Sequence, residues 1–134
     1  MTEPDHLSTL QLLSVAARLV RRQAAASLNT IGLPQMGLHI LQHLAERSPI
    51  LQSELAHLVL ASGQTTGFVL TKLENNHWIT RQRGRVHNQL IVSITDQGRA
   101  ILATAQERIE AIQIPSDADA LRPVLATIIS RAVT

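Results

Sequence analysis

Ala61-Ser62-Gly63-Gln64-Thr65-Thr66-Gly67-Phe68-Val69-Leu70-Thr71-Lys72-Leu73-Glu74-Asn75-Asn76 decides the fold, with the two β-prone runs behind it: Trp78-Ile79-Thr80-Arg81-Gln82-Arg83 and Leu90-Ile91-Val92-Ser93-Ile94-Thr95. Ser62 suits a helix N-cap, because its hydroxyl can accept a hydrogen bond from a free backbone N–H. At about 100° per residue, Ser62, Thr66, Val69, Leu70 and Leu73 share one side of a helix. Gln64, Gly67, Phe68 and Thr71 share the other, with Lys72 at its edge. An outward face that is short, neutral and hydrogen-bonding suits insertion into a groove better than solvation alone.

Asn76 or His77 is expected to close this helix in the left-handed conformation, which both residue types tolerate. The two β-prone runs then bracket Gly84-Arg85-Val86-His87-Asn88, a loop longer than the tightest hairpin turns. Leu90, Val92 and Ile94 alternate with Ile91 and Ser93, which predicts one strongly apolar face. Arg81, Arg83 and Arg85 fall on one side if the first strand runs that far. A capped helix followed by a basic hairpin is the layout of a winged helix-turn-helix.

Upstream, a short helix over 52–59 with Leu55, Ala56, Leu58 and Val59 buried would supply the first half of the helix-turn-helix, and Leu60-Ala61-Ser62-Gly63 the turn. Before it, Pro34 predicts the first turn of a helix reaching Glu46. Its core side is Gly37, Leu38, Ile40, Leu41, Leu44 and Ala45. His39 and His43 on the polar side have metal-ligand spacing but no evident third ligand, so they are expected to be surface residues. Ile50 is placed to add a short strand to the hairpin. The chain opens with a long helix over 7–28, whose apolar positions (Leu10, Leu13, Ala17 and Val20, widened by Leu12, Val15, Ala16 and Leu19) exceed one amphipathic stripe and imply burial on more than one side. Arg18, Arg21 and Arg22 lie in its later turns, where the helix dipole favours cations.

Downstream, Asp96 starts a helix reaching about Ile112, stopped by Pro115. Ser116-Asp117-Ala118-Asp119 resembles a capping box for a last helix with Leu121, Val124, Leu125, Ile128 and Ile129 facing inward. Pro123 predicts either a kink or a true start nearer to it.

The 134 residues, 45% hydrophobic, suit one small domain with added oligomerisation helices. With no cysteine, disulfides, thiolate metal sites and thiol redox sensing are excluded, which fits a cytoplasmic location. No apolar run approaches the roughly 20 residues that span a bilayer, and the first residues lack the basic start and apolar core of a secretory signal. The pI of 10.4 overstates the basicity, because the net charge at neutrality is +2. The charge is concentrated: between Ser62 and Thr95, Lys72, Arg81, Arg83 and Arg85 face Glu74 alone, while the remainder holds eight cations and nine acids. A basic segment on a near-neutral body is what phosphate contact requires. Phosphate loop, metalloprotease helix and nucleophile-elbow motifs are all missing, so an enzyme is not expected, nor a cofactor or metal.

Leu33-Pro34-Gln35, Ser53-Glu54-Leu55-Ala56, Leu73-Glu74 followed by His77-Trp78-Ile79, then Arg81, then Ile94-Thr95-Asp96-Gln97-Gly98 occur in an order and spacing that resemble the MarR (multiple-antibiotic-resistance regulator) family of bacterial winged-helix transcription factors. The likeness covers residues 33–104. It departs at His77, where the family usually has Gly, at the wing tip, which is about one residue shorter by alignment and lacks the family's Asp-Arg pair, and at Phe68, commonly polar or basic. The resemblance implies a mostly α fold with a small hairpin wing: an N-terminal dimerisation helix (1–30), a DNA-binding lobe (31–96) and C-terminal dimerisation helices (97–134). It further implies a cytoplasmic homodimeric repressor on a pseudo-palindromic operator, released by a small aromatic or phenolic effector. Ser62, Gln64, Thr65, Gly67, Phe68 and Thr71 are the candidates in the major groove; Gln64 could pair with adenine and Phe68 touch a thymine methyl. Lys72, Arg81, Arg83 and Arg85 are the candidate phosphate contacts, with His87 and Asn88 at the wing tip, His87 as a cation in mildly acidic buffer. The rival reading is a winged-helix module whose Phe68 meets a protein and not specific DNA.

Overall fold

Ser8 and Gln11 form a capping box: the Ser8 hydroxyl accepts from the Gln11 N–H, and the Gln11 side chain accepts from the Ser8 N–H. The helix started there is α1, Thr9–Asn29, in a computed structural model that describes residues 6–86, 88–112 and 116–133. Gly32 turns the chain at φ +71°, and α2 follows over Gln35–Glu46. Next come β1 (Ile50–Leu51), α3 (Gln52–Leu58), α4 (Gly63–Asn75), β2 (Ile79–Arg83), β3 (Leu90–Ile94) and α5 (Asp96–Glu110). A 3-10 turn over Ser116–Leu121 leads into α6, Arg122–Val133. The strands form one antiparallel sheet in the order β1-β3-β2, with Ile50 opposite Val92. This is the mostly helical winged helix-turn-helix that the sequence predicts, including the short strand at Ile50.

The core lies where α2, α3, α4, α5 and the sheet meet. Leu38, Ile40, Leu41 and Leu44 of α2 are buried, with Leu55 of α3, Val69, Leu70 and Leu73 of α4, Ile79, Val92 and Leu102. Two glycines set how closely its parts approach. A Cβ on Gly37 would stand 3.0 Å from Leu33 Cδ1 and from Leu73 Cδ2, where α2 crosses α4. A Cβ on Gly98 would stand 2.1 Å from the carbonyl oxygen of Trp78, so no side chain fits. That contact docks the first turn of α5 on the start of β2. Thr95 fixes it, accepting from the Gly98 N–H at 2.9 Å and donating its hydroxyl to the His77 carbonyl at 2.6 Å.

His77 takes the left-handed position after α4, at φ +64°. Its N–H donates to the Glu74 carbonyl and that of Trp78 to the Leu73 carbonyl, the paired bonds of a Schellman ending. Leu60 does the same after α3, at φ +56°, with Ala61 N–H returning to Ala56 O at 3.0 Å. Neither ending uses glycine.

Several expectations are corrected. Pro34 is the N-cap of α2 and not its first helical residue. Leu58 is exposed, because α3 has only seven residues and ends there. Arg18, Arg21 and Arg22 fall short of the last turn of α1, which runs on to Asn29, so they gain little from the dipole. The last helix starts at Arg122, beyond the stretch expected to cap it, with Pro123 in its first turn where a missing N–H costs nothing. Leu121, Val124, Leu125, Ile128 and Ile129 do not face inward: all count as exposed, because the described residues of this chain cover them only in part. Leu10, Leu12, Leu13, Leu19 and Val20 of α1 are exposed in the single chain as well, while Ala24 and Leu28 are buried, so the burial on further sides that the sequence implies is not met within one copy. Pro115, expected to stop α5, lies outside the described residues.

Candidate nucleic-acid interface

Ser62 caps α4 by accepting from the Thr65 N–H at 3.0 Å, and its hydroxyl donates to Thr65 Oγ1 at 3.0 Å. Both side chains are thereby ordered at the start of the helix, and both are exposed. The apolar side sits in the core, with Thr66, Val69, Leu70 and Leu73 buried. Gln64, Phe68, Thr71 and Lys72 are exposed on the other side, as their spacing predicts. Gly67 belongs to neither side: a Cβ there would stand 3.2 Å from Gln52 Nε2, so it marks the approach of α3 to α4. Phe68 is 65% exposed, and the Lys72 ammonium stands 4.9 Å from its ring centroid, within cation–π range.

The wing departs further from expectation. Ile79 pairs with Ile94, Arg81 with Val92 and Arg83 with Leu90. Residues directly opposite share a face, so the arginines of β2 lie on the face that buries Ile79 and Val92. Arg81 accordingly folds over the helices. It donates to Glu74 Oε1 and Thr71 Oγ1, both at 3.0 Å, and to Gln52 Oε1 at 3.5 Å, and its side chain is 16% exposed. Thr71 in turn donates to the Gly67 carbonyl. Arg81 thus ties β2 to α3 and α4, with its charge opposite Glu74, and Thr71 is committed to the same network.

Arg83 ends β2 and is exposed; Arg85 lies in the tip, outside the strand, and shares no register with it. The tip closes with Gly84 N–H donating to Gln89 O at 2.9 Å, and Asn88 adopts φ +67°. His87 lies outside the described residues. Among the described residues Gln64, Arg83 and Arg85 have no side-chain hydrogen bond or ion pair, so their polar groups are available to a ligand. Two members of the constellation, Gln52 and Glu74, do not follow from the helix pattern, since their bonds to Arg81 span helix and strand. One signal was present: Ile79, Arg81 and Arg83 have the same strand parity, so a buried Ile79 turns Arg81 inward. No group of three or more His, Cys, Asp or Glu among the described residues could hold a metal, and no helix among them is long and apolar enough to cross a membrane.

A capped helix with an exposed polar face, preceded by a short helix and flanked by a two-stranded arm, defines the winged helix-turn-helix class. No protein-family model matches the sequence, and no curated protein matches it. Solved structures do. The chain is similar to the transcriptional repressor CouR bound to a 23-mer DNA duplex, at 22% identity over 96% of this chain and 98% of that one, with a TM-score of 0.81. It is similar to a MarR-family transcriptional regulator from Rhodococcus sp. RHA1, at 20% identity over 87% and 89%, TM-score 0.77. It is also similar to NadR in complex with 4-hydroxyphenylacetate, at 18% identity over 100% and 98%, TM-score 0.70. The chain therefore has the fold of MarR-type regulators along nearly its whole length.

Proposed function

We propose that this protein is a homodimeric, sequence-specific DNA-binding regulator of the MarR type, most simply a repressor on a pseudo-palindromic operator. The observation that carries the reading is the exposed face of α4, where Gln64, Thr65 and Phe68 stand free of the core with Lys72 at their edge. Each subunit would set this face in a major groove and lay Arg83, Arg85 and Asn88 against the backbone or the adjacent minor groove. Arg81 is given a different role from the one its sequence position suggests: it positions the wing against α4, and its charge is spent on Glu74. The dimer rests on α1 and α6, whose apolar residues would be covered by a second copy. Residues 1–30 and 97–134 would then serve assembly, and 31–96 recognition.

An effector site of the same kind as NadR's is supported by a groove of about 410 Å³ between α1, α2 and the end of α3. Arg21 and His39 supply polar groups there, and Met36, Leu58 and Leu60 supply apolar walls. A small aromatic acid meets both requirements. A ligand held there acts on DNA binding only if it prefers one spacing of the two recognition helices.

The test is a gel shift with a random-sequence duplex pool, followed by selection of the bound sites. Enrichment of a two-fold symmetric motif is the expected result. No retention at low salt, or retention with no enriched motif, would sink the reading and leave the protein-interaction module with Phe68 as its anchor.

A further inference from the structure

The chain's single Phe occupies the outward face of α4, where 65% of its surface meets water. Such exposure is unfavourable unless something apolar covers the ring. What surrounds it narrows the choice. Gln64 lies one turn before and Lys72 one turn after, with Thr65 and Thr71 exposed beside them. Aromatic anchors of protein interfaces sit in a ring of contacts that excludes water, whereas this one is set among hydrogen-bonding groups and a cation. The Lys72 ammonium, 4.9 Å from the centroid, holds one face of the ring and leaves the rest of it open. In a major groove the apolar group that base-pair edges present is the C5-methyl of thymine.

We propose that Phe68 reads the C5-methyl of one thymine in each half-site, with Lys72 fixing the ring; this rests on the DNA-binding reading above. Four residues along a helix advance about 6 Å, and bases are about 3.4 Å apart. The thymine is therefore a different base from the one that Gln64 faces, at a step set by the tilt of α4 in the groove. The recognised feature is the methyl and not the base, so 5-methylcytosine at the same position presents the same group and plain cytosine does not.

The experiment uses the selected operator. Each thymine of the half-site is replaced in turn, symmetrically, by deoxyuridine, and affinity is read by fluorescence anisotropy. Wild type should show one position where the lost methyl weakens binding roughly fourfold per half-site, roughly fifteenfold for both. Phe68→Ala should bind the parent operator more weakly and be indifferent to that replacement, with unchanged helicity by circular dichroism, since the side chain is exposed. Phe68→Leu, still apolar, should keep the sensitivity in part. At the same position, 5-methylcytosine should bind wild type better than cytosine and make no difference to Phe68→Ala. Absence of any sensitive thymine in wild type, or sensitivity that survives in Phe68→Ala, overturns the inference while the DNA-binding reading stands. Failure to select any operator removes both.

Discussion

The middle of this molecule is closed and its ends are open. In the winged lobe, Leu41, Leu44, Leu55, Leu70, Leu73 and Val92 are fully buried by the chain itself. In α6, the apolar residues Val124, Leu125, Ile128 and Ile129 are all exposed, although they recur at helical spacing and form a face as apolar as those of the lobe. Burying side chains of this size contributes about 1.5–3 kcal/mol each. The lobe has taken that stabilisation from within, and the ends have left theirs for another surface. A sequence can therefore satisfy helix periodicity equally well in two places and have it answered within the chain in only one.

The sharpest way to break this contrast is to charge the open end. Leu125→Glu with Ile128→Glu removes nothing from the lobe's core, because both residues are exposed in the single chain. On the proposed dimer, any loss would act through the second copy. The double variant is expected to run as a monomer by light scattering after gel filtration, keep most of its helicity, and lose specific DNA affinity by orders of magnitude as the second half-site is forfeited. A dimer of unchanged stability would move the interface elsewhere.

Its counterpart in the closed region is Gly98→Ala. The added methyl would lie 2.1 Å from the Trp78 carbonyl oxygen, a backbone atom that cannot swing away. The expected cost is about 3 kcal/mol of stability by urea unfolding, at the upper end for overpacking. A cost below about 1 kcal/mol would mean that α5 slides easily over β2, and that the lobe is less closed than its burial implies.

How much of this was legible follows from how local each signal was. Ser62, the spacing of Thr66, Val69, Leu70 and Leu73, and the alternation through Leu90, Val92 and Ile94 are short-range patterns, and the recognition helix and wing follow from them. His77 in the left-handed position was one of two readings of a local ending. The partners of Arg81, Gln52 and Glu74, were not legible, since they reach it across the fold, and alternate spacing alone does not separate a cation held within the lobe from its exposed neighbours. The start of α6 beside Pro123 is one of the two alternatives that proline offers; the capping role of Ser116-Asp117-Ala118-Asp119 is not met, because six residues of 3-10 turn lie there, and an acidic Ser-x-x-Asp stretch looks the same before either kind of helix. The exposed apolar faces of α1 and α6 were visible as a demand for burial, but periodicity does not state which surface meets it.

The wing sharpens the contrast between one copy and two. Arg83→Gln removes one exposed cation per subunit. At roughly 0.9 per phosphate, the slope of log K against log salt should flatten by about 1.8 for a dimer on its operator, and by about 0.9 for a single chain. Arg81→Gln should leave the slope nearly unchanged, since that charge faces Glu74, while lowering stability through the lost tie between β2 and α4. Equal slope changes for the two variants would return Arg81 to the DNA contact.

The smallest expected effect lies at Thr66, which is fully buried on α4 with its hydroxyl lacking any hydrogen-bond partner among the described residues. The Ser62 carbonyl one turn back, which a helical threonine often reaches, receives the Thr66 backbone N–H at 3.0 Å. A buried hydroxyl without a partner forfeits its hydration, and mutational series put that loss at about 1–3 kcal/mol. Valine has nearly the same shape and the same branching at Cβ, so neither packing nor helix propensity opposes the exchange. Thr66→Val should therefore raise stability by about 1 kcal/mol, read as a higher urea midpoint with unchanged slope. Because Thr66 sits inside the closed lobe, the gain should persist in the background of Leu125→Glu with Ile128→Glu, provided that the lobe folds without the interface. A gain that vanishes there would mean that lobe and ends fold as one unit. A loss in the parent protein would mean that the hydroxyl is bonded, to a buried water for example, and that the core around α4 is less dry than its burial indicates.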